Sequence, residues 1–176
     1  ELTDAGLRIG AGVTHSQIMA DKMIAEHAPA MIDAAHTVGA VQTRNLGTLG
    51  GNLVTCVPSM DSGPTLLALD AQVTILGPKG TRQIDLAEFF VGVRKTALEP
   101  DELLLEVIIP SENLGKPAGF ITFGLRKGQA LALVNAASAF RIEDGTFKDV
   151  RIALGAVAPV VMRAVKAEAV LEGQAF

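Results

Sequence analysis

The segment of this 176-residue chain with the most chemical potential runs from Gln42 to Asp61. Gly47, Gly50 and Gly51 fall within five residues, edged by Arg44, Asn45, Thr48 and Asn52. Glycine permits close backbone approach and positive φ, so consecutive amides can turn toward one anion, and the hydroxyl and two carboxamides add side-chain donors. Such a cluster reads as a phosphate cradle or as an ordinary tight turn. Its polarity within an otherwise apolar chain lifts the cradle. Asp61, nine residues after Asn52, is the only acid between Ala34 and Leu69. Its carboxylate can cap the helix that follows, or accept hydrogen bonds from sugar or ribityl hydroxyls; facing a phosphate directly would suit it poorly.

Other chemistries find little support. Ser16 follows His15, but neighbours on a helix point apart, and His15 reads as solvent-facing. The glycine run matches neither the dinucleotide fingerprint nor the phosphate-loop pattern, and no Gly-x-Ser-x-Gly elbow occurs. A single cysteine, Cys56, and three scattered histidines cannot close a metal site, and one thiol forms no internal disulfide, which fits a reducing cytoplasm. Cys56 reads as a small buried hydrophobe. The acidic pairs Asp101/Glu102 and Glu143/Asp144 lie in turns and read as solvated.

Composition narrows the partners. A net charge of −4, 4% aromatic residues and no basic stripe exclude a nucleic-acid surface. Mean hydropathy is +0.37, yet no apolar run approaches the ~20 residues of a membrane span. High apolar content with only 19% charged residues implies that another subunit covers part of the surface.

The elements that must position these residues follow from periodicity. Leu7–Val13 alternates as a strand. Thr14 and Gln17 form a capping box for the next helix, and Pro29 opens a second helix over Ala30–Val38. The glycine run carries no strand pattern before Leu53-Val54, and Thr65–Leu69 reads as a short buried helix capped by Asp61 or Ser62. Gln72–Leu76 and Thr81–Asp85 make a hairpin, Leu86–Phe90 a helical turn, and Glu102–Ile109 a strand ended by Pro110. Ser111–Gly119 marks a boundary. Beyond it Phe120–Arg126, Leu131–Ile142 and Phe147–Val157 are strands, and Arg163–Leu171 is a helix stopped by Gly173. The fold class is α+β: a mixed first part, then a small antiparallel sheet with a C-terminal helix.

The run Gln42–Asn52, followed by Pro58 and Asp61, closely resembles the second flavin loop of the FAD-binding medium subunit of molybdenum hydroxylases, the xanthine dehydrogenase and carbon monoxide dehydrogenase family. Gly10–Thr14, Glu88–Thr96, Glu102–Pro110 and Ile152–Pro159 extend the resemblance over essentially the whole chain. It implies an FAD-binding domain over residues 1–112 and a flavoprotein C-terminal domain over 113–176. Thr48, Leu49, Gly50, Gly51 and Asn52 would line the FAD through backbone amides and polar side chains, and Asp61 would bind flavin hydroxyls. Val38 and Leu104 would pack beside the cofactor, and Arg126 or Lys127, with Lys127 counted in the site, would take the place of a basic residue near the flavin.

The family implies electron transfer as well. Electrons pass from a molybdenum cofactor on a large subunit, through 2Fe-2S clusters on a small subunit, to FAD and then to NAD or another acceptor. The family's first flavin loop, an Ala-Gly-Gly turn, would lie upstream of Glu1; the expectation is half a cradle, completed by a companion chain or by the rest of a longer subunit. A non-catalytic assembly chain of such a complex is the alternative, and a reductase of the enolpyruvyl-sugar type ranks last because no acid is placed for that chemistry.

Overall fold

Leu7 and Ile9 point to the core from β2 (Gly6–Gly10), whereas Arg8 on the opposite face bonds Glu106 at 2.8 Å. This period of two is what a strand with one buried face requires. The computed structural model describes residues 1–126 and 128–176, so Lys127 lies outside the described residues. β1 (Leu2–Thr3) and β2 join β7 (Leu103–Pro110), β3 (Gln72–Gly77) and β4 (Gly80–Asp85) in an antiparallel sheet of order β1-β2-β7-β3-β4. Register sets Ile9 opposite Val107 and Val73 opposite Val107, so the inward side chains of three strands meet.

Helices pack on the inner face. Thr14 begins α1 (His15–Ala20) with the expected capping box: its hydroxyl accepts from Gln17 N at 3.2 Å, and its own N–H donates to Gln17 Oε1 at 2.8 Å. Asp21 caps α2 (Lys22–His27), and α3 (Ala30–Thr37) buries Ala30, Met31, Ala34 and Ala35. The glycine run, expected as a loop, is helical instead. α4 (Val41–Leu46) leads through Gly47 into α5 (Leu49–Thr55), capped by Thr48. Leu49, Leu53 and Cys56 recur at i, i+4 and i+7, and burying that stripe outweighs the poor helix propensity of Gly50 and Gly51. α6 (Ser62–Ala68) is buried on every side.

After α7 (Leu86–Phe89) and the small hairpin β5 (Phe90–Gly92) and β6 (Lys95–Thr96), a 3₁₀ turn at Ser111–Asn113 precedes the second sheet. Its strands are β8 (Ala118–Gly124), β9 (Ala132–Glu143), β10 (Thr146–Gly155) and β11 (Met162–Arg163), in the order β11-β10-β9-β8. Arg163, expected in the last helix, pairs with Ala153 in β11, and α8 runs only over Val165–Leu171. Glu102 also departs from expectation. Rather than being solvated, its carboxylate takes two bonds from Arg82, at 2.7 and 2.8 Å, and one from Glu99 N; the Arg82 bonds above all hold its pKa down to about 2.

The two sheets share one core. α3 packs on β8, and α6 packs on β9 and β10, so Ala137, Ala139 and Ala153 join the cluster of Leu66, Leu69 and Phe89. Asp70, just beyond α6, receives Arg151 and Arg163 of the second sheet, each at 2.8 Å. Asn113 donates to Leu69 O at 2.9 Å, and the buried Lys116 ammonium pairs with Asp149. No helix among the described residues is long and apolar enough to cross a membrane.

Candidate cofactor site

Thr48 is the pivot of the glycine run. It bridges to Thr14 in antiparallel fashion, with His15 N donating to Gly47 O at 3.0 Å and Leu49 N to Val13 O at 2.9 Å. Gly50 N reaches Ala11 O at 2.8 Å, Gly51 N the Thr48 hydroxyl at 3.0 Å, and Asn52 N Thr48 O at 3.0 Å. All four amides from Leu49 to Asn52 are therefore spent within the chain. The expected cradle of free backbone amides is absent here, because strand-like pairing and helix capping use them first.

The glycine at 50 has a different purpose from the one expected. A Cβ there would lie 2.6 Å from Ala11 Cβ and 2.9 Å from Ala11 O. Gly50 thus lets α5 sit directly on the Ala11–Thr14 loop, and the Leu49 side chain is fully buried. What remains available is side-chain chemistry. The Thr48 hydroxyl accepts from Gly51 N and keeps its own proton to donate. Asn52, half-buried, holds a buried Oδ1 with no partner among the described residues. Leu104 stands next to this loop, since the carbonyl of Leu105 accepts from Ala11 N at 2.9 Å.

A second group gathers around Asp61. It precedes α6 but makes no side-chain capping bond, so the expected capping role is not the one it plays. Asn135 Nδ2, from the first half of β9, donates to Met60 O at 3.0 Å and lies 3.4 Å from Asp61 Oδ1. Burial pushes the carboxyl up to about 6, opposed by hydrogen bonds from Asn135 and Thr37. Thr37 has only one proton and donates it to Ala34 O at 2.7 Å, so Asn135 is the dependable donor. Val38 follows Thr37 at the end of α3, where Arg44 Nη1 reaches the carbonyls of His36, Val38 and Gly39 at 3.2, 3.0 and 3.4 Å. Val38 adjoins Thr37, whose side chain lies beside Asp61, while Thr48 and Asn52 lie at the start of α5, which packs on β7, the strand of Leu104. No hydrogen bond among the described residues joins the two groups.

A cleft of about 770 Å³ opens between the α3–α4 turn and the end of β8, lined among others by Thr37, Arg44, Phe123, Leu125 and Arg126. Arg126 turns back onto Gln129 O at 2.6 Å.

His15 and Cys56 complete the neighbourhood. His15, expected at the surface, is 1% exposed: Gly47 has no side chain, and the imidazole fills the space beside it. Burial, then the Arg44 charge, lowers its pKa, and Nδ1 has no partner among the described residues. Cys56 is fully buried, with Sγ 3.2 Å from Gly92 O; burial raises its pKa, consistent with an inert thiol.

Asn135 and Arg44 had no assigned roles in the sequence reading. Asn135 was the more legible, being a carboxamide within the apolar run Ala132–Ala137, and strand interiors keep such groups only when they are bonded.

The side chains presented here are a Thr48 hydroxyl with a proton to give, an Asn52 Oδ1 with no partner among the described residues and a half-buried Asp61 carboxyl, with apolar Val38 and Leu104 on neighbouring elements. The residues present fit a flavin dinucleotide, since the orphaned Asn52 Oδ1 needs a donor and the half-buried Asp61 carboxyl, with no cation beside it among the described residues, suits hydroxyl donors. The family model for the FAD binding domain in molybdopterin dehydrogenase matches residues 1–112, and that for the CO dehydrogenase flavoprotein C-terminal domain matches 122–176. The chain belongs to the FAD-binding family of the molybdopterin dehydrogenases.

It is 32% identical over 168 residues to the xanthine dehydrogenase FAD-binding subunit of Escherichia coli O157:H7, covering 94% of this chain and 57% of that protein. With the nicotinate dehydrogenase FAD-subunit of Eubacterium barkeri it shares 38% over 141 residues, covering 78% and 48%. Carbon monoxide dehydrogenase from Hydrogenophaga pseudoflava superposes with a TM-score of 0.91 at 32% identity, over 96% of this chain and 58% of that chain. Quinoline 2-oxidoreductase from Pseudomonas putida 86 gives 0.89 at 32%, over 97% and 59%. The chain spans about half the length of the curated relatives it matches, and the α+β architecture is theirs.

Proposed function

We propose that this chain is the FAD-holding part of the medium subunit of a molybdenum-containing dehydrogenase. In that role it receives electrons from 2Fe-2S clusters on a small partner subunit, which are fed by a molybdenum cofactor on a large one, and passes them to NAD or another acceptor. Bound FAD would supply the exchange between one-electron and two-electron carriers. The chain's own residues bind and orient it. Thr48 donates its hydroxyl proton, Asn52 offers a carboxamide, Asp61 accepts from hydroxyls, and Val38 and Leu104 exclude water along an apolar wall. Gly50 and Leu49 hold α5 in place, Gly51 leaves the surface beside Asn52 bare, and Lys127 is proposed as the basic residue near the flavin.

The observation that best supports this reading is unspent hydrogen-bonding capacity at Asn52 and Asp61, on two elements of a family that binds FAD. Since the amides of 49–52 are spent, we infer that the pyrophosphate is cradled mainly from outside these 176 residues, by further sequence of the subunit or by a companion chain. A cytoplasmic site of action accords with the lone buried cysteine.

The test is the flavin content of the subunit purified with its partners. Asn52→Ala should weaken FAD about twofold to tenfold, by loss of a neutral hydrogen bond worth about 0.5–1.5 kcal/mol, and Asp61→Asn about tenfold to a hundredfold, since bonds to a charge are worth about 1.5–3 kcal/mol. A second reading, the non-catalytic assembly chain, draws support from the exposed strip of Ile121, Phe123, Leu125 and Leu131, which are 72%, 63%, 85% and 79% exposed. A complex that assembles fully with its partners yet carries no flavin would favour it.

A further inference from the structure

Asn135 sits on the central region of the second sheet, opposite Thr122 on one side and Gly155 on the other. It is 1% exposed, in a run otherwise apolar. A carboxamide so deeply placed needs partners, and its single Nδ2 has two protons to give. One goes to Met60 O at 3.0 Å; the other faces Asp61 Oδ1 at 3.4 Å. The same nitrogen therefore holds both the backbone leading into Asp61 and the carboxylate itself. Both acceptors belong to the first domain, and the donor belongs to the second.

Gly155 is what makes this arrangement possible. A Cβ at that position would overlap Asn135 Oδ1 and lie 3.1 Å from Pro64 Cγ on α6. The missing side chain leaves the slot in which the carboxamide lies between β10 and α6. Asn135 Oδ1 has no partner there, so nothing competes for the orientation that turns Nδ2 toward Met60 and Asp61. Because both of those are acceptors, the opposite amide orientation would set oxygen against oxygen.

We propose that Asn135 is a positioning residue for the cofactor site: from the second domain it fixes the Asp61 carboxylate, so that cofactor retention depends on the docking of the two domains. This rests on the reading of Asp61 as an acceptor for FAD hydroxyls. It adds a residue that never touches the cofactor, and it explains why an uncapped carboxyl at the start of α6 keeps one orientation. Gly155 belongs to the same device as the residue that makes room for it.

The experiment is a double-mutant cycle on FAD dissociation from the subunit in complex with its partners. Asn135→Ala should weaken FAD about fivefold to twentyfold when Asp61 is present, and less than twofold in an Asp61→Asn background. In parallel, the infrared carboxylate stretch of Asp61, isolated by difference against Asp61→Asn, should shift in Asn135→Ala. Gly155→Ala displaces the carboxamide without deleting it and should reproduce both effects; it replaces Asn135→Ala in the cycle if that variant does not fold. Equal losses in the two backgrounds, with an unshifted band, would mean that Asn135 acts through general packing, and would overturn the proposal. If Asp61→Asn by itself leaves FAD affinity unchanged, the reading of Asp61 fails, and the proposal with it. That outcome appears in the single variant and is thus distinct from failure of the cycle.

Discussion

Asp61, half-buried, and His15, buried, are ionisable groups with no counter-ion among the described residues, and they pull the pH dependence of stability in opposite directions. Asp61 has its carboxyl raised from 3.8 to about 6. Its neutral form therefore favours folding: that stability is complete below about 4 and is lost as pH rises through about 6. His15 is lowered from 6.5, so the folded state binds fewer protons than the unfolded one; stability is complete above 6.5 and drains away as pH falls below it. Asp61→Asn should consequently stabilise the cofactor-free chain at neutral pH by on the order of 1–2 kcal/mol, seen as a higher urea midpoint, and move its optimum to higher pH. His15→Gln should move the optimum lower. Urea midpoints taken from pH 4.5 to 8 would show this, and an optimum unmoved by either change would refute it. On the proposed reading of Asp61 as a cofactor ligand, that cost to the empty protein is a familiar compromise with binding. Asp61 stood out in the sequence by its isolation from other acids. The burial of His15 was not, because it depends on a glycine thirty-two residues away in the chain leaving space beside the imidazole.

Among the elements, α5 carries the instructive difference between sequence and structure. Three glycines in five residues read as a loop, and the low helix propensity of glycine justified that. The stripe of Leu49, Leu53 and Cys56 was equally present, and tertiary burial decided the outcome. Capping boxes, by contrast, are local, so Thr14 and Gln17 could be paired from spacing alone. The longer strands of both sheets were legible for the same reason, since alternation and turn residues are short-range signals, whereas the two-residue edge strands β1 and β11 carry too little pattern to be read. What could not be read was the purpose of Gly50, which depends on Ala11 lying across from it. Gly50→Ala should destabilise the chain by about 1–3 kcal/mol through overpacking, and Ala11→Gly should restore part of the loss. Thermal unfolding of the two single variants and the pair tests this; strict additivity would show that the contact does not matter. A larger residue at Gly50 would perturb the fold itself, so Asn52 and Asp61 are the cleaner positions for probing flavin.

At the scale of the molecule, Asp70 ties the halves together. Its partners Arg151 and Arg163 lie 81 and 93 residues away, separations at which a single sequence offers no pairing signal. A separation of 74 residues likewise hid Asn135 from Asp61. With these side chains only partly buried, Asp70→Asn should cost about 1–2 kcal/mol, more than an isolated surface pair and less than a fully buried one. The loss should be smaller at high salt, where the pairs are already screened; a cost that is the same at 0.05 and 1 M salt would argue against an ionic origin.

The family models divide this chain near residues 112–122, an apparent joint at which segments of related proteins could be exchanged. The contacts across that joint say otherwise. A chimera that takes residues 113–176 from a relative imports a new occupant opposite Met60 and Asp61, and new partners for Asp70. Recombination at this boundary therefore exchanges the partners of Met60, Asp61 and Asp70 as well as a sheet, and on the proposed role of Asp61 it preserves the cofactor only when positions 61, 70, 135, 151, 155 and 163 travel as one inherited set.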